Sequence, residues 1–284
     1  MTIDRDRASI ESLGVPIGQG RTAEIFAWGD GRVLRLFRPG ASRTWAVREL
    51  RVARAVRQAG IAAPEVFPAD SEDGLIEVDG RFGFVMERID GPSMIDAMSR
   101  APWCIRRYAE SFAALHRSIH AAASTELPSQ RERFHRVIDG VADLLAPEIV
   151  ERLHAAVDAM PHGRAICHGD FHPDNVLMSP RGPVIIDWGP ATAGCPAADV
   201  AWTVYLAKHG GAPVGASFAV RAMLALFRRL FLALYRRAYV RDAAFDWREV
   251  EHVEPVIAAV RLGDGIPEER KLLLDILHRR SRRV

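Results

Sequence analysis

The chain has 284 residues, 49% of them apolar and 26% charged, with a formal net charge of +2. That length is enough for one large domain or two lobes with a buried core. A charge so close to zero excludes a general electrostatic affinity, so neither nucleic acid nor membrane is expected as a partner. The start, MTIDRDR, is charged and has no apolar signal core, and arginines interrupt every apolar run before it reaches membrane-spanning length. A cytoplasmic protein is expected.

TAEIFAW and RVLRLF, joined by Gly29-Asp30-Gly31, alternate apolar and polar residues and predict a β-hairpin. SRTWAVRELRVARAVRQAG follows with apolar residues at helical spacing, Ser42 placed as N-cap and Gly60 just past the end. GLIEV and RFGFVM, separated by Asp79-Gly80, predict a second hairpin. From Ser93 to about Ala159 the periodicity is helical; short strands are expected near 164–167, 175–178 and 183–187, and helices from there to the end. Within that last part, Arg221, Arg228, Arg229, Arg236, Arg237 and Arg241 occur with no acid among them, a basic helix face that is either simply solvated or a surface for an anionic partner. Cys104, Cys167 and Cys195 are odd in number and lack CxxC spacing, which argues against a disulfide frame or a cysteine zinc site.

The densest chemistry lies in CHGDFHPDNVL (167–177), followed by VIIDWG (184–189). Metal ligation by His168, Asp170 and His172 is one reading, but Pro173 discourages a helix that would put both histidines on one face. A polar loop with capping aspartates is another, which leaves Asp187 at the end of an apolar strand unexplained. Phosphoryl transfer accounts for the whole set: it needs an acceptor for a hydroxyl proton and hard oxygen ligands for Mg²⁺ beside the phosphates. Asp170 serves as the base, and Asn175 with Asp187 as the metal ligands.

HGDFHPDNVL followed by IDWG resembles the aminoglycoside phosphotransferase and choline kinase family. The amino-terminal hairpin, the PEV at 64–66, the Leu115-His116 pair and GCPAADVAW (194–202) extend the resemblance over most of the chain. It implies an α+β, two-lobed protein-kinase-like fold, with a small β-rich N-lobe over 1–88 and a larger helical C-lobe over 89–284. It implies ATP and Mg²⁺ as cofactors, His168 as a support of the catalytic loop, and Asp199 as a brace of the same loop; the alternative for Asp199 is a helix N-cap ahead of VAWTVYLA. GQGRTAEIF would be the nucleotide-covering hairpin, with Gly18 and Gly20 letting backbone N–H groups approach phosphate. Glu49, the one acid in its helix, would hold the phosphate-gripping cation, unless it faces solvent beside an arginine. Glu87 and Ile89 would offer backbone groups to adenine.

The cation is where the sequence departs from the family. A lysine is expected in the strand after the first hairpin turn, where this chain has Arg35, and its only lysines, Lys208 and Lys271, lie far downstream. Arginine keeps the charge and binds phosphate bidentately, but it is longer and planar, so the replacement is not conservative. Two functions remain open: an ATP-dependent phosphotransferase acting on a small hydroxyl-bearing molecule, or a catalytically weak nucleotide-binding regulator. Glu132, Asp139, Asp143, Glu148, Glu151 and Asp158 are acidic candidates for a cationic acceptor, and Glu249, Glu251 and Glu254 form a later set expected to face solvent.

Overall fold

The computed structural model describes residues 9–29, 31–210, 215, 217–241 and 245–280. The charged start at 1–7 and Asp30 of the first turn lie outside the described residues. Contacts group the chain into two units, Met1–Ala97 with Asp174–Gly189, and Met98–Pro173 with Pro190–Val284. A division into 1–88 and 89–284 therefore follows chain order, whereas packing assigns the 174–189 hairpin to the first unit.

In the first unit, a short helix α1 (Ile10–Leu13) precedes β1 (Gly18–Gln19), β2 (Ala23–Ala27) and β3 (Arg32–Phe37). Helix α2 (Arg43–Gln58) comes next, then β4 (Ile76–Val78) and β5 (Arg81–Glu87). The five strands make one antiparallel sheet in the order β1-β2-β3-β5-β4. Both predicted hairpins are present. Asp79 and Gly80 both have positive φ (47° and 73°), the left-handed turn that a two-residue hairpin requires.

Strand periodicity sends alternate residues of β3 to opposite faces. Leu34 and Leu36 pack with Phe26, Trp28, Val78 and Val85. Phe37 packs on the other face with Ala46 and Leu50 of α2. Arg35, two residues before Phe37, is thereby placed on the face that α2 covers. Ser42 caps α2 by accepting a hydrogen bond from Trp45 N, and the helix buries Ala46, Glu49, Leu50, Val52, Ala55 and Val56. Glu49 thus lies on the core face and not in solvent.

Strands β6 (Ala165–Cys167) and β9 (Thr192–Gly194) pair with each other, and β7 (Val176–Ser179) pairs with β8 (Gly182–Ile185). The β7–β8 hairpin is bound into the first unit by Met178 N donating to Pro92 O at 2.8 Å and Ile185 N donating to Ala62 O at 2.8 Å. A Cβ on Gly91 would come 2.3 Å from Met178 O, so only glycine allows this approach.

The second unit contains α3 (Met94–Arg100) only at its edge. Its body is α4 (Ile105–Ala121), α5 (Gln130–Gly140), α6 (Pro147–Ala159), α7 (Pro196–His209), α8 (Phe218–Arg241), α9 (Trp247–Leu262) and α10 (Pro267–Arg280). Helix α7 is apolar nearly all round and correspondingly buried, from Ala197 through Tyr205. Helix α8 is divided along its length. Phe231, Tyr235, Ala238 and Tyr239 are buried, whereas Phe218, Met223 and Leu226 are exposed like Arg221 and Arg229. No described helix is long and apolar enough to cross a membrane.

Gly83 of β5 lies opposite Leu36, and a Cβ there would meet Arg35 O at 2.5 Å and Leu36 Cα at 3.1 Å. Gly83→Ala should therefore push β3 aside and lower stability by about 1–3 kcal/mol, as overpacking does. Urea denaturation checks this; an unchanged midpoint would mean that β3 has room to move.

Candidate active site

In the first unit, Arg35 spends one nitrogen on three oxygens. Its Nη2 donates to Asp187 Oδ1 at 3.0 Å, Glu49 Oε2 at 3.2 Å and Thr22 Oγ1 at 3.4 Å. Glu49 is buried (8% side-chain exposure) and Arg35 partly buried (13%), whereas Asp187 is open to solvent at 42%. Burial pushes the Glu49 carboxyl up, partly offset by the Arg35 charge, and the Asp187 charge pushes it further up. Arg35, Glu49 and Asp187 also line one small cavity with Val66, Phe84 and Met86, so an apolar wall faces an ionic one. A Cβ on Gly189 would meet Glu49 Oε1 at 2.7 Å, which closes that wall tightly.

The strand expected over 183–187 stops at Ile185. Asp187 has φ of +61°, a left-handed conformation that breaks a ladder and that aspartate tolerates better than most residues. Two bonds fix the turn: Ile186 N donates to Asn175 O at 2.9 Å, and Trp188 Nε1 to Ile185 O at 2.9 Å. Asn175, 8% exposed, ends a 3₁₀ turn over Pro173–Asn175. An exposed carboxylate turned out of its strand beside an amide-bearing residue is a donor set suited to a hard, oxygen-seeking cation such as Mg²⁺.

Gly18 and Gly20 have neither positive φ nor crowding, since a Cβ on either meets its nearest neighbour at 3.5–3.6 Å. The fold therefore gives no internal reason for glycine at these positions. Glu87, the last residue of β5, pairs with Arg181, and its backbone N–H donates to Glu65 O at 2.8 Å. Ile89 is half-buried just beyond.

In the second unit, Asp199 is the hub. Its Oδ2 accepts from His168 N and its Oδ1 from Gly169 N, both at 2.7 Å. The same carboxylate contacts His116 Nε2 and His120 Nε2, each at 3.1 Å. Burial alone would push the Asp199 carboxyl up, but the hydrogen bonds of the two histidines take it well below the usual range. It is not an N-cap: Cys195 holds that position, and Asp199 sits in the first turn of α7. His168 is fully buried, with Nδ1 accepting from Asp170 N at 3.2 Å. The same loop places Asp170 Oδ1 3.3 Å from Trp202 Nε1 and Oδ2 3.6 Å from His172 Nε2. Burial pushes Asp170 up, but His172 and the Trp202 bond outweigh it, so its carboxyl lies below the ordinary range and is ionised at neutral pH. Phe171 stacks on Phe112 at 4.2 Å and its carbonyl accepts from Thr203 Oγ1, which fixes the far side of the loop.

Sequence reasoning missed most of this brace. Tyr235 and Tyr239 of α8 meet His116 Nδ1 and His120 Nδ1 at 2.8 and 2.6 Å. The repeated four-residue spacings, His116/His120 and Tyr235/Tyr239, were the available signal. Among the described residues, His116, His120 and Asp199 are also the one set of three or more such side chains close enough together to share a metal ion. The donor set does not fit one. Asp199 only accepts, so both Nε2 atoms carry hydrogen, and burial keeps both tyrosine hydroxyls protonated to donate to Nδ1. His168, Asp170 and His172 do not gather as a metal site either, because His168 Nδ1 is turned to the loop backbone.

Burial first, then the neighbouring His120, lowers the His116 pKa to about 3. The folded chain thus refuses a proton that the unfolded chain accepts below about pH 6.5, so stability is fully present above that pH and lost as the pH falls toward 3. Asp199, depressed in the fold, adds a loss at more acid pH. Between pH 7.5 and 5 the unfolding free energy should decline, by at most about 1.4 kcal/mol per pH unit from this one group, and His116→Gln should flatten that decline. Denaturant melts across the range test it; identical slopes would contradict it.

A phosphotransferase enzyme family model matches residues 14–253. Three solved structures share the fold at low identity. The amicoumacin kinase hAmiN, in complex with AMP-PNP and Ca²⁺, superposes with a TM-score of 0.62 at 12% identity, covering 96% of this chain and 89% of that one. APH(2")-IIIa, in complex with GDP and kanamycin, gives 0.57 at 17% over 95% and 93%. The streptomycin–ATP–APH(2")-IIa complex gives 0.57 at 15% over 93% and 90%. No curated protein matches. With a family model spanning most of its length, the chain belongs to the phosphotransferase enzyme family.

Proposed function

We propose that the protein transfers the γ-phosphoryl group of ATP to a hydroxyl of a small molecule, with Asp170 as the base. The observation that carries this reading is the ionised Asp170, held in a loop whose backbone is bonded to a buried aspartate. A carboxylate in that state accepts the proton that the attacking hydroxyl must lose. Arg35 grips phosphate: Nη2 stays anchored to Glu49, and among the described residues no hydrogen-bond partner meets its Nε or Nη1. Asn175 and Asp187 would hold Mg²⁺, which neutralises charge on the phosphates when bound. Gly18, Gly20, Glu87 and Ile89 are assigned to the nucleotide by the family pattern.

The acceptor class is an aminoglycoside-like antibiotic, an amino alcohol or a sugar. Kanamycin, streptomycin and amicoumacin in the related structures support a polyhydroxylated or amine-bearing molecule. Of the acids considered for a cationic acceptor, Glu254 is tied to Lys208 at 3.2 Å, while Asp139 and Asp158 are engaged by histidines. A second reading, a weak nucleotide-binding regulator, is favoured by one observation: Arg35 already bonds Asp187, so the nucleotide must compete for both residues.

Substrate-dependent ADP release, screened over hydroxylated metabolites and aminoglycosides with Mg²⁺, separates the two readings. On a substrate found this way, Asp170→Asn should lower kcat by roughly 100-fold or more with nucleotide affinity nearly unchanged. Near-normal turnover would remove Asp170 from the base role. Arg35→Ala should raise KM for ATP and lower kcat together, a loss of about 1.5–3 kcal/mol. Arg35→Lys should also be harmful, because an ammonium cannot make the two-pronged contact. Higher activity with lysine would identify the natural protein as a weakened kinase, the second reading.

A further inference from the structure

Helices α5 and α6 carry the same spacing: His135 and Asp139 on one, His154 and Asp158 on the other. The pairs cross. His135 Nε2 lies 3.0 Å from Asp158 Oδ1, and His154 Nε2 lies 3.1 Å from Asp139 Oδ1. Between them, the two Nδ1 atoms face each other at 2.6 Å. The ring planes differ by only 16° with centroids 4.9 Å apart. That separation matches the Nδ1···Nδ1 distance plus the two ring radii, so the rings meet edge to edge, each Nδ1 directed at the other.

Asp158 also takes a bond from Arg131 Nη1 at 3.3 Å, and the His135 hydrogen bond is the main reason its carboxyl lies below the usual range. It can only accept, so His135 Nε2 carries the hydrogen. The Asp139 carboxylate imposes the same tautomer on His154. Two hydrogens are then committed outward, and both Nδ1 atoms present lone pairs to each other. They repel unless a cation lies between them. A histidine whose outer N–H is fixed by a carboxylate is the arrangement by which proteins orient an imidazole toward a metal.

We propose that His135 and His154 form a binding site for a first-row divalent ion of the zinc class, held through the two Nδ1 atoms. Asp139 and Asp158 orient the rings, and water completes the coordination. Imidazole nitrogen suits zinc and its neighbours and not Mg²⁺ or Ca²⁺. Bonds of about 2.0–2.1 Å at a tetrahedral angle need the nitrogens roughly 3.3 Å apart, so the rings must separate by about 0.7 Å. With side-chain exposures of 29% and 28%, the rings are open to an ion and its waters. The site clamps α5 to α6, and α5 also reaches the segment beside the Asp170 loop, where Arg133 Nη1 donates to Pro190 O at 2.8 Å. The inference stands apart from the phosphotransfer reading, since it uses none of the residues assigned there.

Titration of ZnCl₂ into tag-free, metal-stripped protein, followed by calorimetry and by thermal melting, tests it. One equivalent of Zn²⁺ should bind and raise Tm, with no such effect from Mg²⁺. His135→Ala/His154→Ala should abolish both effects, and Asp158→Asn, which leaves the histidines in place, should weaken binding about 10- to 100-fold. Circular dichroism confirms that each variant is folded. Absence of Zn²⁺ binding by the unaltered protein would overturn the proposal and leave a shared proton between the rings. Undiminished binding by the double variant would overturn it as well, by locating the ion elsewhere.

Discussion

The first unit is organised around a single guanidinium nitrogen. Arg35 Nη2 joins a sheet strand, the core face of α2 through Glu49, and the turn after β8 through Asp187. Glu49 is 7% exposed, and a carboxylate so placed is tolerable only with a cation beside it. Removing one partner of a buried ion pair commonly costs about 3–5 kcal/mol, because the other charge is left uncompensated. This explains why a cation persists at position 35 even though it is not the lysine of the family pattern. The fold needs the charge there whether or not the nucleotide does.

The second unit has its own buried carboxylate with a different solution. Asp199 is satisfied by two backbone N–H groups and two imidazoles, and the imidazoles are in turn satisfied by two tyrosine hydroxyls. The chain of contacts runs from α8 through α4 to the backbone of the Asp170 loop. Every member is paired, which in a low-dielectric interior is the condition for such a network to stabilise and not disrupt. The loop that carries Asp170 is therefore positioned from beneath by five side chains on three helices.

Much of this was legible in the sequence where the signal was local. The two hairpins, the Ser42 cap and the motif 167–177 follow from alternation, turn residues and short-range chemistry. The pairing of Arg35 with Glu49 came from the family resemblance, and the alternation along β3 accounts for the face on which it lies. What the sequence could not supply depends on contacts distant along the chain. The left-handed turn at Asp187 is set by bonds to Asn175 and Ile185, and nothing in IIDWG by itself announces it. The N-cap alternative for Asp199 was a local rule overridden by tertiary hydrogen bonds. The crossed histidine–aspartate pairs of α5 and α6 are visible as spacing, but their partners follow only from how the two helices pack.

The proposed grip of Arg35 on phosphate, with Glu49 as its anchor, is open to direct test. A crystal structure with AMP-PNP and Mg²⁺ tests this most directly. In that complex the Arg35 guanidinium should keep its bond to Glu49, give up Asp187, and place Nε or Nη1 within about 3 Å of a phosphate oxygen. A bound nucleotide whose phosphates lie beyond reach of Arg35, with the Arg35–Asp187 bond intact, would contradict it.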